Sequence, residues 1–320
     1  MTLAAPGMRT AAAPGWRAVV SVALAVAIGR PVLWLFGALG FAARGGFVLL
    51  ALPIITIPSP VILSILLQDQ FDATGITISG EVAAMLGGLV LFGIVVPGLL
   101  LAAYADVAAF ERLVEDPDTE ELRAGASAAG IDGPARRRLV VMIAAIQALA
   151  LVPVALAAAL IAGPIYDVAL REQLLPSDGA TPLVVRIVRG AREPLAFLLV
   201  ALVIADLVYA IASRTVLTRR SGLVQRDRRE RARAVRTFGS AILAWLVTIA
   251  IVGPVLWAIV VSWDGVRNVL LSSAGMTDPQ ALPSTLIATI LFAAIWVAGT
   301  ILTGFASAVR AALWSVEAIR

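Results

Sequence analysis

LVVMIAAIQALALVPVALAAALIAGPIY, residues 139–166, runs for 28 residues without a charged side chain. As a helix it would be about 42 Å long, more than the ~30 Å of hydrocarbon in a bilayer. Five further stretches of 20 residues or more read the same way: 45–68, 82–105, 194–213, 237–263 and 279–309. Asp206 is the only charge within any of them. The fold class expected is therefore an all-α polytopic integral membrane protein, with six transmembrane helices joined as three hairpins.

Composition agrees with that class and narrows the chemistry. Hydrophobic residues make up 60% of the chain and charged residues 14%, with a mean hydropathy of +0.96. Soluble domains carry roughly 25% charge. The chain has no Cys, no His and no Lys, so all 25 basic residues are Arg. That removes thiol nucleophiles, disulfides, thiolate or imidazole metal sites, histidine bases and lysine Schiff bases together. Arg in place of Lys also fits a GC-rich coding sequence. No cofactor and no metal are expected, and a non-enzymatic role is favoured.

Twenty of the 25 arginines fall in alternate connections: Arg9, Arg17, Arg30 and Arg44 before the first span, five in loop 106–138, nine in loop 214–236, and Arg310 and Arg320 after the last. The intervening connections hold only Arg171, Arg186, Arg189, Arg192 and Arg267. The positive-inside rule then places both termini and both Arg-rich loops in the cytoplasm, in a bacterial-type inner membrane. Residues 1–15 read as disordered. The segment 16–44 reads as an interfacial or re-entrant helix, because Arg30-Pro31 would sit near mid-bilayer if it spanned, at a cost of about 2.5–3.5 kcal/mol. A cleaved signal ending near Ala25-Val26-Ala27 is the competing reading, and it conflicts with the charge rule. Residues 45–320 then form one six-helix membrane domain. A weak threefold repeat is suggested by Pro60-Val61, Pro153-Val154 and Pro254-Val255 in the first helix of each hairpin, and by Tyr104-Ala105, Tyr209-Ala210 and Phe305-Ala306 in the second.

Several features carry functional readings. The segment 214–236 has nine Arg against Asp227 and Glu230, and Arg219, Arg220, Arg226, Arg228, Arg229, Arg231, Arg233 and Arg236 are the expected contacts to anionic lipid head groups. Topological signalling alone also accounts for them. Nucleic acid is not expected, since no aromatic residues interleave the charge. Loop 106–138 carries eight acids, and Asp116-Pro117 with Gly130 brackets a short helix, 117–129, so that 117–138 offers a surface to a cytosolic protein. Residues 126–130 followed by 135–138 resemble the coupling loop of importer-type ABC permeases, although no Glu-Ala-Ala precedes the glycine at the required spacing. An ordinary connecting helix also fits.

Pro53, Pro58 and Pro60 predict a broken helix in the first span, with Thr56 and Ser59 near the freed carbonyls, as at transport sites or at a plain kink. Asp206 is the strongest polar candidate, with Gln147, Tyr209 and Tyr104 as its expected neighbours. An intramembrane aspartyl protease is excluded, since Asp167 and Asp206 fall at opposite ends of their spans and no Gly-x-Gly-Asp occurs. Gly299, Thr300, Thr303, Gly304 and Ala308 form small-residue stripes suited to packing within the bundle or between copies of the chain. The segment 182–193 reads as a surface helix or a solvated loop on the outer side. The expectation is a transporter-like protein or permease subunit of unknown substrate. The alternative is a membrane scaffold or lipid-handling protein that uses its cytoplasmic loops.

Overall fold

The computed structural model describes residues 16–51, 54, 80–116, 119, 133–178, 181, 183–220, 230–273 and 281–319. Among these residues the regular elements are all helical. They are α1 (Trp16–Gly29), α2 (Pro31–Phe41), a π turn (Ala42–Gly46), α3 (Phe47–Ala51), α4 (Gly80–Val114), α5 (Gly133–Leu174), α6 (Leu183–Gly190), α7 (Arg192–Arg220), α8 (Glu230–Ser273) and α9 (Ala281–Ile319). Six helical stretches are long and apolar enough to cross a membrane: Pro31–Ala51, Phe92–Val114, Gly133–Leu174, Arg192–Arg220, Phe238–Leu270 and Pro283–Ile319.

The first of these differs in place from the run at 45–68, much of which lies outside the described residues. Arg30-Pro31 does break the chain, but at a junction between helices and not inside one. Pro31 takes the first position of α2, where a missing N–H costs nothing. The turn is held by Leu33 N–H donating to Arg30 O at 2.9 Å and by Trp34 Nε1 donating to Ala27 O at 2.6 Å. Arg30 itself pairs with Asp116 at 2.8 Å. Helix then continues through Arg44 by way of the π turn, where Gly45 takes φ +90°, a value that favours glycine.

Packing is uneven along the helices. The main core gathers Val19, Val26, Val107, Phe110, Leu113, Leu139, Ile143, Tyr209, Leu217, Ala241, Ala244, Val309, Leu313 and Trp314. Apart from Val19 and Val26 of α1, each lies toward the end of its helix that adjoins loop 106–138, loop 214–236 or Ile319, so these side chains define one tightly packed, arginine-rich end. A smaller core of Leu50, Val255, Ile259, Val266 and Phe292 joins α3, α8 and α9 farther along. Elsewhere the opposite halves are loosely covered. No residue of α7 from Arg192 to Ile204, and none of α4 from Phe92 to Leu101, is buried. Large apolar groups such as Leu89, Leu160, Phe197 and Ile287 are exposed there, as expected of surfaces solvated by lipid.

α5 packs along α7 and α8 along α9, while α9 also receives α1 and α2. The small-residue stripes make the last contact close. A Cβ added at Gly304 would lie 2.6 Å from Trp34 O, and one at Gly299 would lie 2.8 Å from Val255 Cγ1. The stripes thus serve two different neighbours within the chain. The short α6 covers part of the expected outer segment and rests on α5 and α7, with Arg186 paired to Glu172 at 3.4 Å.

Candidate functional site

Four charged residues that end apolar runs in the sequence lie inside helical segments and meet one another. Arg44 comes from the π turn, Asp106 from α4, Arg214 from α7 and Arg310 from α9. Asp206 and Tyr209 of α7 complete the group. Arg310 lies nine residues before Ile319, about 14 Å of helix from its end, so the cluster is within the packed bundle.

Asp106 is the centre. It is 8% exposed, and its Oδ2 accepts from both Arg44 Nη2 and the Tyr209 hydroxyl. Tyr209 is 3% exposed, and the Arg44 guanidinium carbon stands 5.5 Å from its ring centre. This arrangement binds three elements of distant sequence through one carboxylate. Arg310 Nη2 donates to Asp206 Oδ1 at 3.0 Å, with both side chains about one-sixth exposed. Trp314, one turn farther along α9, carries Arg310 at 4.6 Å from its ring centre and Arg214 at 5.9 Å. Charged side chains withdrawn into a helical bundle are costly unless paired, which is why such groups mark functional positions.

α4 supplies acids to more than this cluster. Glu111 pairs with Arg136 of α5 at 2.9 Å, and Asp116, just beyond the helix, holds Arg30. Asp106, Glu111 and Asp116 therefore each fasten an arginine from a different segment against the arginine-rich end. These acids belong to the stretch read from sequence as an acidic cytoplasmic loop; through Val114 that stretch is helix. Helix continues because a charge with a counter-ion does not end it, and the residues there favour it.

Of the neighbours expected for Asp206, none bonds to it among the described residues. Tyr209 turns to Asp106. Tyr104 is 42% exposed, with Arg136 over its ring at 5.0 Å. Gln147 is buried at 3% exposure, with Oε1 unpartnered. Asp206 Oδ2 is also buried without a partner. The aromatic marks of the suggested repeat are thus inequivalent in burial, although Ala105, Ala210 and Ala306 are all buried. Pro53, Pro58, Pro60, Thr56, Ser59, Arg226, Arg228, Arg229 and most of 117–132 lie outside the described residues, as do the side chains of Arg231, Arg233 and Arg236. Arg219 and Arg220 are exposed at the end of α7.

A narrow recess lies between α2, α4 and α9, lined by Arg44, Asp106, Ser307 and Ser315 among small and apolar residues. Its volume is close to that of about one water molecule. Asp206 does not line it.

No protein-family model matches this chain, and neither the curated proteins nor the solved structures hold a match.

Proposed function

We propose that the chain is a multi-pass transport protein or permease subunit whose buried charge cluster acts as a gate at the arginine-rich end. The observation that carries this reading is the contrast along the helices. One end is packed and latched by Arg44–Asp106–Tyr209 and Asp206–Arg310, while α4 from Phe92 to Leu101 and α7 from Arg192 to Ile204 bury nothing. Alternating access needs ends that close in turn, and interhelical ion pairs are a reversible means of closing one of them. In this reading the arginine-rich end faces the cytoplasm of a bacterial-type inner membrane, the six spans form three hairpins, and Arg219 and Arg220 engage anionic lipid. Residues 117–138 remain the proposed surface for a cytosolic partner.

The narrow recess favours a second reading, a scaffold or lipid-handling protein whose bundle stays shut. Ala308, 3% exposed and beside the recess, separates the two. Because the chain has no cysteine, Ala308→Cys gives a single reactive position. In inverted vesicles a membrane-impermeant maleimide should leave that thiol unmodified, and adding Asp206→Asn should expose it by releasing Arg310. Protection in both backgrounds would favour the scaffold. Uptake of radiolabelled amino acids, sugars and inorganic anions by proteoliposomes should fall with Arg310→Gln for the transported class.

A further inference from the structure

Three guanidinium groups meet only two carboxylates in the cluster. Arg44 holds Asp106 and Arg310 holds Asp206, which leaves Arg214. Arg214 is 2% exposed and forms no ion pair with a described residue, and its Nε and Nη1 are buried without a hydrogen-bond partner. Trp314 is likewise 2% exposed, its ring centre stands 5.9 Å from the Arg214 guanidinium carbon, and its Nε1 is a third buried donor without an acceptor. Glu317, one turn farther along α9, has an interaction of its own.

A buried cation with no carboxylate in ion-pair contact, beside a buried N–H without an acceptor, is a costly arrangement for a fold to retain. Attraction to the indole face offsets only part of that cost. Asp106 is the carboxylate whose charge reaches Arg214, but its Oδ2 is shared by Arg44 and Tyr209 and it makes no hydrogen bond to Arg214. A guanidinium fork together with an indole N–H suits an acceptor having several oxygens and a negative charge.

We propose that Arg214 and Trp314 form a binding site for a phosphate-type oxyanion, supplied either as inorganic phosphate or as the head group of an anionic lipid. The bound anion balances the third arginine and supplies the missing acceptors. This rests on the cluster being the working site, and it holds whether the anion crosses the membrane or stays.

The test uses the purified full chain, delipidated in a neutral detergent, with thermal unfolding followed by tryptophan fluorescence. One arm titrates inorganic phosphate at ionic strength fixed with chloride; the other titrates short-chain phosphatidylglycerol. A saturable rise in midpoint is expected in one arm, which identifies the source. It should disappear in Arg214→Gln, persist in Arg189→Gln, an exposed arginine of α6, and need about ten- to a hundredfold more ligand in Trp314→Phe, which keeps the ring but loses the donor. No saturation in either arm, or saturation unchanged in Arg214→Gln, overturns the site. If Arg214→Gln does not fold, Trp314→Phe decides, and an unshifted titration there overturns it. The Ala308→Cys labelling reads the gate separately, so a failed gate and a failed anion site are told apart.

Discussion

Asp106 shows how much one side chain can organise. Its carboxylate receives Arg44 and Tyr209 from segments 62 and 103 residues away in the chain. Asp106→Asn would leave Arg44 without its counter-ion at a buried position, and should destabilise the protein by about 3–5 kcal/mol in detergent unfolding. Arg44→Gln in the same chain should recover most of that loss, because the cost lies in the stranded charge. An additive double mutant would show that the pair is energetically idle. Arg219→Gln, exposed at the end of α7, should stay within about 0.5 kcal/mol of the parent.

The close approach of α2 to α9 depends on glycine. Gly304→Val would drive a side chain into Trp34 O and Ala38, where the added Cβ alone meets atoms at 2.6 and 2.9 Å. Helix separation and a loss of about 1–3 kcal/mol should follow, seen as a lowered unfolding midpoint. Gly253→Ala in α8 is the control: its Cβ meets nothing within 4 Å, so stability should hold or rise slightly. The π turn joins the helix ends with Gly45 at φ +90°, and Gly45→Ala should cost about 1–2 kcal/mol through the backbone alone. Small residues within α9 were legible as packing positions, but their partner was not. The first membrane-length stretch among the described residues, Pro31–Ala51, runs through Arg44, which the sequence reading took as a boundary.

At the scale of the whole molecule, stability is concentrated at one end. Backbone amides of 103–114, 209–217 and 306–318 should exchange with deuterium far more slowly in micelles than those of 192–204, since the former lie in the packed core. Uniform protection along α7 would contradict the two-ended arrangement. The contrast could not be read from hydropathy, which is similarly high along the helices that pack and the helices that do not. Arg226→Cys should be labelled only from the cytoplasmic side if the charge rule governs orientation; labelling from outside intact cells would reverse the bundle.

Six membrane-length helices followed from the sequence, because transferring 20 apolar residues into lipid is a local, additive property of composition. Asp206 could be singled out for the same reason, as the lone charge within an apolar run. The cluster around it could not. Arg44, Asp106, Arg214 and Arg310 each end an apolar run, and a boundary charge and a paired interior charge look identical until the partner is known. Only the tertiary structure brought Asp106 to Arg44 and Arg310 to Asp206, and left Arg214 buried beside Trp314 with donors unspent. Pairing cancels the cost of burying a charge, and pairing across four segments is a property of the assembled bundle.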